Sequence, residues 1–516
     1  MVNDNDTLHN DDTLHNTGEG VEEERLSKRN LWSFSLGAIG RDMAYTLFNV
    51  YLFSYIIFTK NLNAGQFVAV NAIIVACRIF DAINDPIMGT IIENTRTRIG
   101  KYKPWMLAGA ISCSAVIIAA FSTSIDGGSF VAYLAAIYLL FSITYTMNDI
   151  SFYSMLPSLS TSEGARNRLT SMTNLFAGGG AAIMSFLVPL LTAGALATSL
   201  FGNAPHAYRI TAIFAAVMFI AFQLLTIFGV KEKPLSPLIT ADGNSSKVGL
   251  RKMFKIIKGN DQLLWVALVS LIFNTAGSLA LTLPSTYIYF EFGYNGVLLT
   301  LFNVLFGLVG AATLITFPMI SKKFSRKKLL FSAIIGLITG YALLLLFGIV
   351  FPSSQPVLKF VMMMIGNVFN GYGQTVFLLI LTVSLLNTVE YNEWKTGDRN
   401  ESIIFSIKPF MTKLGSAFTQ LGVALIFLII GVTDFTNRIS DIENTLLSDD
   451  AKTNAINAIT TSVPDAKKIA LLVCMTVIPA LLMSLAYALY KRKYKIDEKK
   501  YAEMLSDIKQ RQENPD

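Results

Sequence analysis

The stretch RIFDAINDPIMG, Arg78–Gly89, lies inside an apolar run long enough to cross a bilayer, yet it carries Arg78, Asp81 and Asp85, with Asn84 between the acids. One Asp or Arg at the centre of a membrane helix costs about 2.5–3.5 kcal/mol on insertion scales. Three such residues in one segment demand a polar interior that compensates them. Asp81 and Asp85 are four residues apart, so a helix puts them on one face, and Arg78, three residues before Asp81, joins that face.

The whole chain supports a membrane reading. Of 516 residues, 53% are hydrophobic and only 15% charged, with mean hydropathy +0.50; soluble domains carry about 25% charged residues. Apolar runs of about 20 residues recur throughout, each enough to span the hydrocarbon core. They are too long and continuous for barrel strands, and only helices or closed barrels satisfy the backbone in lipid. The expectation is an all-α polytopic membrane protein of about twelve transmembrane helices, near 31–58, 66–93, 105–124, 130–156, 168–194, 209–230, 263–289, 295–318, 329–350, 359–389, 402–432 and 467–490. The two longest, 359–389 and 402–432, exceed what a span needs and are expected to tilt or project from the bilayer.

Basic residues set the orientation. NTRTRIGKYKP carries Arg96, Arg98, Lys101 and Lys103; SKKFSRKK carries Lys322, Lys323, Arg326, Lys327 and Lys328; and KRKYK ends the last span. The N-terminal flank adds Arg25, Lys28 and Arg29, whereas STSIDGGS and FGNAPHAY on the other side are nearly free of such charge. An even span count then places both termini in the cytoplasm of a cell-membrane protein. The net charge of +7 reflects this topology and gives no reason to expect nucleic acid as a partner. His9 and His15 fall in a polar region, residues 1–30, read as a disordered tail without a signal-peptide core; His206 falls in an outer loop. Cys77, Cys113 and Cys474 sit in apolar spans as packing residues.

The two basic loops lie about six spans apart, with a polar stretch at 231–262 between them. This suggests two six-helix halves, 31–230 and 263–490, joined by a central cytoplasmic connector and followed by a cytosolic tail, 491–516. That is the plan of the major facilitator fold, whose site lies between the halves near the midplane. The remaining buried charges fit such a site. GRDMAY places Arg41 and Asp42 in the first span; YTMNDISFY places Thr146 and Asp149 in the fourth, with Tyr145, Asn148 and Tyr153 nearby; SIKPFMTKLGSAF places Lys408 and Lys413 in the eleventh. Charges on four spans compensate one another only around a common interior. Structural ion pairs are the competing reading. Against it, Asp81, Asn84, Asp85 and Thr146 are hard oxygen donors that suit a small cation.

The segment RIFDAINDPIMGTIIENTRTRIGKYKPW, together with GRDMAY, YTMNDISFYSMLPSLS and VEYNEWKTGDRNESIIFSIKPFMTKLGSAF, resembles the signature of the glycoside–pentoside–hexuronide:cation symporters. The resemblance spans nearly all the hydrophobic chain and implies secondary active transport. A sugar or glycoside would move with Na⁺ or H⁺, Li⁺ being possible, and no cofactor would be needed. It implies that Asp81, Asn84, Asp85 and Thr146 bind the cation. Asp42 and Asp149 would bind sugar hydroxyls, with Arg41, Tyr153 and Lys413 as further contacts. Carboxylates suit that role because each accepts two hydroxyl hydrogen bonds. Departures include Asn174 at an arginine position and Lys408-Pro409 in place of Gln-Thr. Lys408 would favour an acidic sugar or snorkel to the interface. A lysolipid transporter of the same fold and a transport-inactive sugar sensor are the alternatives. An enzyme is not expected, because no His, Cys or Ser constellation provides a nucleophile with its base. A monomer in membrane lipid is the expected working form.

Overall fold

The computed structural model describes residues 18–159, 163–194, 199–230, 258–321, 323–397, 401–445 and 449–513. Residues 1–17, most of the expected connector at 231–257, and Lys322 lie outside these. The described elements are helical: α1 (Gly18–Thr59), α2 (Ala64–Asn94), α3 (Lys103–Ser122), α4 (Gly127–Met155), α5 (Glu163–Thr192), α6 (Ala204–Gly229), α7 (Asp261–Phe292), α8 (Gly296–Ser321), α9 (Arg326–Val350), α10 (Pro356–Thr396), α11 (Glu401–Ile430), α12 (Thr433–Glu443), α13 (Asp449–Ser462), α14 (Asp465–Lys493) and α15 (Glu498–Glu513).

Eleven helices, α2–α11 and α14, are long and apolar enough to cross a membrane. The twelfth expected span, 31–58, lies within α1, whose apolar run is broken by Arg41, Asp42 and Asn49. Polar caps end the apolar runs where the sequence leaves the bilayer. Asn63 and Gln66 form a reciprocal capping box at α2, with Gln66 N donating to Asn63 Oδ1 at 2.9 Å. Asn203 accepts from His206 N at α6, and Asn260 from Leu263 N at α7.

Both expected tails carry helix among their described residues. The stretch read as disordered, 1–30, is helical from Gly18 onward, because VEEERLSKRN is rich in helix formers and continues directly into the span without a proline. The expected tail 491–516 is mostly α15, which packs on α10. Asp507 Oδ2 accepts from Trp394 Nε1 at 2.8 Å, and Arg511 donates to the Trp394 carbonyl at 2.9 Å.

In the first half α1 packs on α5 and α6, α3 on α4 and α6, and α2 on α4. In the second, α9 packs on α10 and α14, α7 on α11 and α14, and α8 on α10. Glycines permit the closest approaches. A Cβ on Gly40 would meet the Met218 carbonyl at 2.5 Å, and one on Gly180 would run into the Ile39 carbonyl. Without a hydrophobic drive between helices in lipid, this close van der Waals packing holds the bundle together.

The halves meet through α2–α11, α5–α8 and α1–α12. Most of these contacts sit at the end opposite the termini. Thr300 donates to the Phe186 carbonyl at 3.3 Å, Gln420 Nε2 to Asn71 Oδ1 at 2.6 Å, and Phe58 meets the Tyr289 and Tyr294 rings. At the end bearing the termini, an open cavity of about 480 Å³ lies against Ile87, Ile91, Asn94 and Thr95 of α2.

Candidate functional site

Two polar clusters meet between the halves. The first is built on Arg41 of α1, buried at 3% exposure. Its Nε and Nη2 both donate to Asp42 Oδ2, at 3.0 and 2.5 Å, and Nη2 also donates to Tyr153 Oη at 2.9 Å. Nη1 stands 3.2 Å from Asp149 Oδ1. The guanidinium lies 4.5 Å from the Tyr153 ring centroid and 5.1 Å from that of Phe152. One buried cation therefore organises two carboxylates and a phenol. Asp42 and Asp149 keep 20% and 30% of their side chains exposed, so each retains accessible acceptor surface. Thr146, Asp149 and Tyr153 follow at spacings of three and four along α4, one helical face.

The second cluster joins α2, α4 and α11. Lys413 Nζ forms an ion pair with Asp85 Oδ2, and Thr146 Oγ1 donates to Asp85 Oδ1 at 3.2 Å. Asn84 Nδ2 donates to the Ser142 carbonyl at 3.5 Å. Asp81, nearly buried, lies in the fields of Lys413, Arg78 and Asp85. Arg78 is buried against the Tyr138 ring at 5.9 Å and beside Tyr45. The clusters adjoin on α4, where Thr146, bonded to Asp85, and Asp149, beside Arg41, are three residues apart on one face. Lys413 thus comes from the second half and sits directly on the acids of α2, in contact with Asp85.

Arg41, Asp42, Asp81, Asn84, Asp85, Thr146, Asp149, Tyr153 and Lys413 converge on these two clusters. Asn148, adjacent in sequence, does not. Fully buried, it donates from Nδ2 to the Met106 carbonyl at 2.8 Å and to Gln223 Oε1 at 3.2 Å, tying α4 to α3 and α6. Lys408 lines a separate cleft with Ser270, Asn274, Thr382 and Thr412, between α7, α10 and α11. Asn174 is exposed on α5. The sequence reading missed Tyr45, whose ring lies 5.4 Å from that of Tyr145, and the Asn71–Gln420 bridge. A heptad offset was the available signal: Asn71 precedes Arg78 by seven residues, and Gln420 follows Lys413 by seven.

Eleven helices long and apolar enough to span a membrane among the described residues, together with α1 and its compensated charges, define a multi-pass membrane protein of the major facilitator fold. Residues 33–498 match the family described as MFS/sugar transport protein. The chain belongs to this family, and within it to the glycoside–pentoside–hexuronide:cation symporter group. It is 26% identical to a lactose permease of Lactobacillus delbrueckii subsp. bulgaricus, over 92% of this chain and 72% of that one. It is 27% identical to a raffinose carrier protein of Pediococcus pentosaceus, over 92% and 70%. A glucuronide carrier protein homolog of Escherichia coli is 25% identical, over 80% and 85%. Among solved structures, a bacterial homolog of the human lysosomal transporter Spinster, in an inward-facing and unoccupied conformation, superposes with TM-score 0.57 at 12% identity, covering 92% and 98%. A D-xylose-proton symporter superposes with TM-score 0.56 at 14% identity, covering 85% and 98%. Both show the shared fold.

Proposed function

We propose that this protein carries a sugar or glycoside across the cell membrane together with Na⁺ or H⁺, by alternating access. The observation that carries the reading is the adjacency of the two clusters. Asp42 and Asp149, held by Arg41, offer carboxylate oxygens to vicinal hydroxyls, and Tyr153 offers a ring face to a pyranose. Beside them Asp81, Asn84, Asp85 and Thr146 supply oxygens for a small cation. The relatives named for lactose, raffinose and a glucuronide support a sugar as the substrate class.

Lys413 compensates Asp85. A cation entering between Asp81 and Asp85 takes over that compensation and lets the ammonium withdraw, which reorganises the neighbouring sugar acids. Binding is then reciprocal: sugar tightens the cation by the factor by which the cation tightens sugar. One charge moving through 100 mV contributes about 2.3 kcal/mol, which sustains about fiftyfold accumulation at roughly 1.4 kcal/mol per tenfold. We read both termini as cytoplasmic, and on that reading the contacts between the halves at the opposite end support an inward-open state.

The test is uptake of labelled glycosides into proteoliposomes under imposed Na⁺ or H⁺ gradients. The wild-type chain accumulates one of them. Asp81→Asn and Asp85→Asn abolish accumulation while sugar binding by calorimetry persists. Full concentrative uptake by both variants would reject the cation site.

A further inference from the structure

The short helices α12 and α13 follow the eleventh span, at the end opposite the termini, and belong by sequence to the second half. Their polar contacts go to the first. Asn437 makes a reciprocal pair with the Leu62 backbone, donating to its carbonyl at 2.7 Å and accepting from its N–H at 3.2 Å. Asn444 Nδ2 donates to the Thr59 carbonyl at 3.0 Å, and Asn61 Nδ2 to Asp441 Oδ1 at 2.8 Å. Glu443, 2% exposed, accepts at Oε2 from the N–H of Ala204, the first residue of α6, at 2.9 Å. Lys452 of α13, 1% exposed, donates to the Gly202 carbonyl at 3.1 Å and to the Glu443 carbonyl at 3.2 Å. Six hydrogen bonds therefore tie this segment to the loop after α1 and to the start of α6.

Transport by alternating access needs this end to open, and none of these bonds can stretch across an opened gap. Resting on that reading, we propose that α12–α13 is a latch that locks the two halves together at the end opposite the termini, and that Glu443 is its proton-sensitive release point.

The release chemistry follows from burial. The partial positive charge at the start of α6 and its N–H favour a carboxylate there, and Lys452 is the cation facing it from α13. Tyr208 of α6 and Tyr294 of the α7–α8 loop face it without charge. At the end of α1 the cation Lys60 is engaged by Asp126 at 3.7 Å and by the carbonyls of Thr123 and Ile125. Loss of water dominates and pushes the Glu443 carboxyl up to about 7. Released into water, it returns to roughly 4.3, the ordinary glutamate value. The latched form binds its proton more tightly, so latching is fully favoured below the released value and is lost as pH rises through about 7.

Spin labels at Ser124→Cys and Ser354→Cys, in a Cys77→Ala, Cys113→Ala, Cys474→Ala background, report the separation of the halves at this end. Both serines are exposed, on the α3–α4 and α9–α10 loops. We expect a short and a long distance, the short population falling relative to the long by at least about tenfold from pH 5 to pH 8, since each unit between the two pKa values is worth tenfold. Glu443→Gln keeps the acceptor without the charge and should stay latched with that pH dependence gone. Asn437→Ala with Asn444→Ala should shift the population to the long distance at every pH. Two populations indifferent to both changes would overturn the latch alone, as would an unaltered pH dependence in Glu443→Gln. A single distance in the wild type at every pH, with and without cation and sugar, would overturn alternating access and the latch with it. If Glu443→Gln does not fold, the asparagine pair decides.

Discussion

Arg41 is worth more to the site as a scaffold than as a charge. Its guanidinium fork holds Asp42 and Tyr153 and lies against Asp149, so two acids that would repel are fixed around one cation. A hydrogen bond to a charged acceptor is worth about 1.5–3 kcal/mol, or roughly 10- to 150-fold in affinity. Asp42→Ala and Asp149→Ala should each weaken sugar binding by at least about tenfold in calorimetry. Tyr153→Phe keeps the ring and loses one neutral hydrogen bond, about 0.5–1.5 kcal/mol, and should cost only a few-fold. Unchanged affinity in both Ala variants would place the sugar elsewhere. The acids were legible in the sequence because a buried carboxylate contradicts its apolar surroundings. Helical spacing grouped Thr146, Asp149 and Tyr153. Asn148, near them in sequence, lies on another helix face and reaches into the α3–α6 contact.

Hydropathy revealed the spanning helices, since length and apolarity are what the bilayer selects. It could not reveal α12 and α13, whose sequences TDFTNRISDIE and DDAKTNAINAITTS read as loop. The face that α12 buries is mostly polar (Thr436, Ile439, Ser440 and Glu443), so its period is hidden from an apolar count. The α15 helix is hidden likewise, held on by Trp394 and its partners Asp507 and Arg511. Packing between spans rests on small residues that hydropathy does not single out. Gly180 lets α5 touch the backbone of α1 at Ile39. Gly180→Leu cannot be met by a side-chain shift, because the obstacle is a carbonyl. Overpacking of this kind costs about 1–3 kcal/mol or more. The variant should lower the thermal midpoint of the detergent-solubilised protein, followed by size-exclusion chromatography after heating. Gly178, with open space around its Cβ position, should accept Ala at little cost in the same assay.

Across the whole molecule the two halves repeat one device with its polarity reversed. At the end of α1, Lys60 reaches Asp126 at the start of α4; at the end of α7, Glu291 reaches Lys359 at the start of α10, at 2.5 Å. Each pair ties the first helix of a half to its fourth, so each half moves as a body. The bodies are joined at one end by ring contacts, the Asn71–Gln420 bridge and the α12 segment. At the other end lies the α2–α3 loop, where Arg96 donates to the Thr95 carbonyl at 3.1 Å and Lys103 to that of Val230 at 2.7 Å. This loop leaves the helix that bears Asp81 and Asp85, so cation binding can bias it mechanically. When the halves rock, its charges are placed to meet the second half and steady the opposite state. Neutralising Arg98 and Lys101 together, as Arg98→Gln and Lys101→Gln, should then enlarge the population seen here. Uptake should slow severalfold, with sugar affinity little changed once the altered population is taken into account. Labelling of a cysteine placed in the cavity, at Asn94, reports that population directly. If the double variant inserts normally and shows wild-type labelling and uptake, the loop charges set topology alone.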